Sequence, residues 1–230
     1  MATFCLIHGS WHDGSCWDPL SAALARHGHE TLAPTMPLDD PEAGFEDRFR
    51  PIAAALAAGA DPLVVVGHSV SSGFAAVAAE RAPVALLVHL CPRLGPFPAP
   101  AGAPTVFREG FPFPPKDELG RMVWEPEAAI EAMYPRFAPD VAAELAARLL
   151  PVAPLAEDQY PIDGHPDLPT ALIYATEDEF FEPGWERFMA RELLGVEPIE
   201  IPGGHFPMLE DPEGLAELLD RLVRGGAGAT

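Results

Sequence analysis

The chain has 230 residues, 48% of them hydrophobic, and its 35 acidic and 14 basic residues give a formal charge of −21. That length suits one domain, or a domain carrying an insertion, with enough apolar surface to bury a core. The charge repels nucleic-acid phosphates and anionic membranes, and no apolar run approaches the roughly 18 residues that span a bilayer. The expected partner is therefore a small molecule, and the expected state a soluble monomer or homodimer.

Phe4-Cys5-Leu6-Ile7 predicts a first strand, with no basic region or cleavage site ahead of it to address the chain for export. Cys5, Cys16 and Cys91 are odd in number and lack paired ligand spacing. They read as reduced thiols, which favours the cytoplasm. Lys116 is the single lysine in a chain rich in alanine and proline, a composition that points to a GC-rich bacterial genome.

After the turn His8-Gly9-Ser10-Trp11, a helix is predicted over residues 18–27 and a strand over 29–33. Further strands are predicted at 62–66, 84–90, 170–175 and 197–201, and helices at 45–58, 72–81, 185–194 and 212–224. Short apolar strands alternating with helices mean βαβ units, hence an α/β fold with a mostly parallel central sheet flanked by helices. Residues 92–115 break the rhythm with eight prolines interleaved with Phe97, Phe107, Phe111 and Phe113. Helices at 126–134 and 139–150 follow. The reading is a core of residues 1–91 and 169–230 with residues 92–168 inserted as a cap, and the Gly-Ala tail 225–230 is expected to fray.

Open α/β sheets bind ligands beyond the carboxyl ends of their strands. Ser69 sits there, in Gly67-His68-Ser69-Val70-Ser71, on a sharp strand-to-helix turn flanked by small residues. The plain alternative is a serine that merely caps the next helix. A serine nucleophile needs a base and an orienting acid from elsewhere in the fold. His205, in Pro202-Gly203-Gly204-His205-Phe206, follows the last predicted strand, and Asp178 follows the one before, with Glu177 and Glu179 as its neighbours. The chain order Ser, Asp, His is one in which such triads occur. The earlier strand end, Cys91-Pro92-Arg93, offers only a cation. An oxyanion would take N–H groups from Val70 and Ser10. His8 and His12 lack further ligands nearby and read as structural or pocket-lining, so neither a metal nor a cofactor is expected.

On these residues the chain resembles the α/β-hydrolase fold superfamily. Its opening, Leu6-Ile7-His8-Gly9-Ser10-Trp11-His12-Asp13-Gly14-Ser15-Cys16-Trp17, resembles the methylesterase and hydroxynitrile lyase group and its bacterial relatives. The resemblance implies Ser69 as nucleophile, His205 as base, Asp178 as acid, and Ser10 and Val70 as oxyanion donors. Gly9, Trp11, His12, His68, Phe206, Phe111 and Trp124 are the pocket candidates. Three departures stand out. Ser71 replaces the last glycine of G-x-S-x-G, Asp13 and Ser15 stand where the group often has glycine and tryptophan, and Gly9 and Phe206 replace the threonine and lysine of the lyases. Cyanohydrin cleavage is thereby disfavoured.

The expected activity is a serine hydrolase acting on a small, largely apolar ester, lactone or thioester. A lyase or eliminase using the same residues as a base is the alternative, and a non-catalytic small-ligand binder on this scaffold is the third reading. The cap aromatics either shape an apolar pocket or anchor the cap.

Overall fold

The computed structural model describes residues 1–182 and 184–225. The tail at 226–230 lies outside the described residues. Six parallel strands form one sheet in the order β2-β1-β3-β4-β5-β6. They are β1 (Thr3–Ile7), β2 (Glu30–Leu32), β3 (Leu63–His68), β4 (Val84–Leu90), β5 (Thr170–Ala175) and β6 (Ile199–Ile201). Every residue of β1, β3 and β5 is buried. Successive strand side chains point to opposite faces, so both faces of the central sheet are covered, as parallel sheets require.

The covering helices are α1 (Asp18–Arg26), α2 (Phe45–Ala58), α3 (Ser72–Arg81), α6 (Trp185–Glu192) and α8 (Pro212–Gly225). Helix α1 packs on α8, and α2 on α3. A short helix α7 (Pro207–Glu210) follows β6 directly. Between β4 and β5 lie α4 (Pro126–Met133) and α5 (Pro139–Ala146), which contact each other. The second ends earlier than periodicity predicts, since the Arg148 and Leu149 N–H groups bond back only three residues before Pro151 stops the turn. This segment is tied to the β1 loop: Leu150 N–H donates to the Trp11 carbonyl at 2.8 Å, and the Tyr134 hydroxyl to His12 Nε2 at 2.8 Å.

Strand order reverses at β1, which has β2 on one side and β3 on the other. The crevice at such a switch point is where ligands bind. Register then decides which loops meet there. Ile7 pairs with Gly67, His68 with Leu90, Leu90 with Ile173 and Ala175 with Ile201. Residues 8–12, 69–71, 91–93, 176–179 and 202–205 therefore emerge side by side along one edge.

Candidate active site

Strand β3 runs two residues past the predicted end and breaks at Ser69, whose φ of 56° is left-handed. A non-glycine residue held there is strained, as functional turns often are. Helix α3 presses so close that a Cβ on Gly67 would lie 2.5 Å from the Ala75 Cβ and 2.9 Å from the Ser71 carbonyl oxygen. Only glycine fits. Gly9 is constrained in the same way, because a Cβ there would meet His68 Nδ1 at 2.8 Å and the Ser69 Cβ at 3.1 Å. The larger residue that the lyases carry has no room here.

Ser69 is buried, 7% exposed, and its Oγ lies 3.1 Å from His205 Nε2, while His205 Nδ1 lies 2.6 Å from Asp178 Oδ2. The other Asp178 oxygen accepts backbone N–H groups from Phe180 at 2.7 Å and Phe181 at 3.1 Å, which fixes the carboxylate. Its neighbours have different partners. Glu177 pairs with Arg136, whereas Glu179 accepts the backbone N–H of His205 at 3.2 Å. Glu210, in α7, accepts Gly204 N–H, so two carboxylates brace the loop that carries the histidine.

The His205 ring is enclosed by Phe180, stacked at 4.1 Å, and by Phe181, Phe206 and His68 at 5.1, 5.0 and 4.8 Å. Burial among these rings lowers its pKa to about 3 and keeps the imidazole neutral, able to accept a proton from Ser69. Burial raises Asp178, against the pull of the two N–H donors, and the pair titrates as a unit. Cys91 is the third member of a tight His/Cys/Asp group with Asp178 and His205. Burial pushes its thiol well above the usual range, so it stays protonated.

The loop after β1 is held by its carbonyls. The Ser71 hydroxyl donates to the His8 carbonyl at 2.5 Å, His8 Nδ1 to the Gly9 carbonyl at 3.0 Å and His12 Nδ1 to the Ser10 carbonyl at 3.0 Å. Leu150 holds the next one, on Trp11. In a planar trans peptide the N–H points opposite to the carbonyl, so fixing the Gly9 carbonyl fixes the direction of the Ser10 N–H. Both histidines must be neutral for this, since Met36 N–H and the Tyr134 hydroxyl donate to their Nε2 atoms. Burial lowers each to about 4. The hydroxyl of Ser71, a departure in the sequence, thus has a defined partner. Asp13 and Ser15 also find each other: Ser15 N–H donates to Asp13 Oδ1 at 2.8 Å, capping a 3-10 turn at Gly14–Trp17.

A cavity of about 130 Å³ is lined by Ser10, Val70, Leu38, Phe74, Arg48 and Arg93, among others. None of the seven pocket candidates lines it. Trp11 is buried with Nε1 donating to the Met122 carbonyl, His12 lines a separate cavity with Cys16 and Arg148, and Phe111 lines a shallow one with Arg108 and Glu179. His68 Nε2 donates to the His205 carbonyl at 2.8 Å, and Phe206 packs on His12. Trp124 packs edge-on against Trp11 and Phe111. Phe107 stacks on Phe111, Phe113 packs edge-on against both, and Phe107 and Phe111 lean on Phe181 and Phe180, the rings against His205, whereas Phe97 packs on His165. Most of these aromatics anchor the segment between β4 and β5 to the sheet edge.

A profile of the alpha/beta hydrolase family matches residues 6–218. Esterase PIR7B of Oryza sativa subsp. japonica is 41% identical over 90 residues, covering 35% of this chain and 34% of that protein. The chain spans about a third of the length of the curated relatives it matches. Among solved structures, a pyrethroid hydrolase from Sphingobium faniae JZ-2 superposes with TM-score 0.73 at 22% identity over 99% of both chains. Methylesterase MES16 from Arabidopsis does so with TM-score 0.72 at 17% identity, over 98% of this chain and 100% of the other. At such identities the likeness is one of fold.

Proposed function

The chain belongs to the alpha/beta hydrolase family, and from that premise we propose that it is a serine carboxylesterase acting on a small, largely apolar ester, lactone or thioester. The observation that carries this reading is the row Ser69 Oγ, His205, Asp178, with spacings of 3.1 and 2.6 Å, at the carboxyl edge of the sheet. Ser69 Oγ attacks the substrate carbonyl while His205 Nε2 takes its proton, and Asp178 holds the imidazole with Nδ1–H toward itself. The tetrahedral oxyanion is received by the N–H groups of Ser10 and Val70, each worth about 3 kcal/mol to the transition state. His205 returns the proton to the leaving alcohol, and water then repeats the cycle on the acyl-enzyme. Residues 92–168 act as the cap. Esterase relatives such as PIR7B, and one from Nocardioides sp. (strain SG-4G) described as carbendazim-hydrolysing, support ester cleavage as the reaction.

The test is intact-protein mass spectrometry after treatment with a fluorophosphonate, comparing wild type with Ser69→Ala and His205→Ala. One adduct on Ser69, lost in both variants, together with turnover of 4-nitrophenyl esters, is the expected result. An unlabelled wild type with no ester turnover removes the hydrolase reading.

A further inference from the structure

The segment between β4 and β5 meets the loop that carries Asp178 at residues 106–108. Phe107 faces Phe181 across an antiparallel bridge, with the Arg108 N–H donating to the Phe180 carbonyl and the Glu182 N–H to the Val106 carbonyl, each at 2.9 Å. Bonds on either side of a pair leave the pair itself unbonded, the arrangement in which opposed side chains come closest. The Phe107 and Phe181 rings accordingly meet at 5.7 Å, and Phe181 lies edge-on to His205 at 5.1 Å.

Arg108 grips this loop twice. Its side-chain Nε donates to the Asp178 carbonyl at 2.7 Å, a short bond from a charged donor. Its backbone N–H holds the Phe180 carbonyl, and in a trans peptide that also sets the direction of the Phe181 N–H, which Asp178 Oδ1 accepts at 3.1 Å. The main chain and the carboxylate of Asp178 are thus both held by one residue 70 positions away.

The guanidinium also stands among acids. Glu179 from the same loop, Glu186 from α6 and Glu210 from α7, which pairs with Arg136, all act on Asp178. Cys91 faces the pair as a protonated thiol, and His12 and His68 face His205 as neutral rings. Arg108 is set against those carboxylates and favours the ionised Asp178. Glu131 and Glu179 line the shallow cavity that Arg108 borders, and share its field.

Resting on the esterase reading above, we propose that Arg108 is a positioning residue for the reaction: it fixes the backbone that aims the Asp178 carboxylate at His205 and holds positive charge beside it. It acts through Asp178 and touches no reacting atom. Uptake of a proton by the Asp178–His205 pair removes the base, and the cation opposes that uptake, so without it the pair takes up a proton at higher pH. The base is therefore complete only while residues 106–108 are docked.

Two substitutions separate the bond from the charge. In Arg108→Gln the amide nitrogen stands the same number of bonds from the backbone as Nε, so it can still donate to the Asp178 carbonyl, but the charge is gone. Arg108→Met has similar length and removes both. With 4-nitrophenyl acetate across pH 4 to 9, the acid limb of kcat/KM is expected to move up by about half a pH unit or more in both variants. The plateau kcat is expected to fall about tenfold in Arg108→Met and less than about threefold in Arg108→Gln, with KM within about twofold of wild type in each. A contact that only supports the fold would lower stability or kcat and leave the limb in place. An acid limb unmoved in both variants overturns this inference, whatever happens to kcat, and leaves the esterase reading standing. A plateau kcat that Arg108→Met leaves at the wild-type value also overturns it. Should Arg108→Met fail to fold, judged by circular dichroism, the limb of Arg108→Gln decides alone. No ester turnover by wild type, with no fluorophosphonate adduct, removes the esterase reading and this one with it.

Discussion

His205 Nδ1 lies 2.6 Å from an Asp178 oxygen whose partner oxygen is already taken by the N–H groups of Phe180 and Phe181. The carboxylate is therefore locked in one orientation. In Asp178→Asn the amide oxygen must take the place facing those two N–H groups, which turns the amide NH2 toward His205. The histidine then carries its proton on the nitrogen that faces Ser69. We expect kcat to fall about 10⁴-fold with the fold intact, read by ester kinetics beside circular dichroism. A fall of less than tenfold would show that Asp178 does not orient the base.

Enclosure of His205 also sets the pH profile. Activity needs the neutral imidazole, so kcat/KM is expected to rise with pH and to reach its plateau through a midpoint below the ordinary histidine value of about 6.5. Phe180 stacks on the ring at 4.1 Å, and Phe180→Ala admits water to it. The acid limb of that variant should move up toward 6.5, measured with one substrate across pH 4 to 9. An acid limb that Phe180→Ala leaves in place would assign the midpoint to another group.

The Ser71 hydroxyl is the donor to the His8 carbonyl. Ser71→Ala leaves that buried oxygen without it, which costs about 1–3 kcal/mol of stability. It also loosens the peptide ahead of the Ser10 N–H, so kcat should drop roughly tenfold with little change in KM, if one oxyanion donor is misaligned. Thermal unfolding and steady-state kinetics on the same preparation read both. Loss of stability alone would make Ser71 a packing residue.

Glu186, in α6, is 2% exposed, its Oε1 has no hydrogen-bond partner among the described residues, and burial raises its pKa to about 8. The native state therefore binds a proton that the unfolded chain releases above about pH 4.5. Stability from this group is full below that value and is lost as pH rises toward 8. Glu186→Gln removes the dependence. The variant should match wild type near pH 4 and exceed it by up to about 3 kcal/mol at pH 7, seen in denaturant titrations at both pH values.

Much of the fold was legible because local pattern and final structure agree. Strands Val84–Leu90 and Thr170–Ala175 and helices Phe45–Ala58 and Ser72–Arg81 lie where periodicity puts them. The edge strand Glu30–Leu32, short and half exposed, and the early end of Pro139–Ala146 were blurred, since neither is set by a hydrophobic face. Ser69, Asp178 and His205 could be named together because each stands just past a strand end, a position that topology makes common to all three. Arg48 carries no such mark. It sits in the first turn of α2, and its bond to the Ala153 carbonyl spans 105 residues of chain. The bond from Ser71 to the His8 carbonyl, 63 residues apart, and that from the His205 N–H to Glu179, 26 apart, are nonlocal in the same way.

The bond from Leu150 to the Trp11 carbonyl has a mechanical meaning. Trp11 is left-handed, with φ 63°, and stands one residue after Ser10. Any excursion that lifts residues 148–152 off the sheet edge breaks this bond and lets the Trp11 peptide rotate. On the proposed mechanism, raising this segment frees the Trp11–His12 peptide, while the Gly9–Ser10 peptide keeps its own bond from His8, so the loop slackens from its far end and is drawn tight again on reseating. Hydrogen exchange at the Leu150 amide would report the closed fraction directly, so one backbone proton serves as a clock for the working state of the molecule.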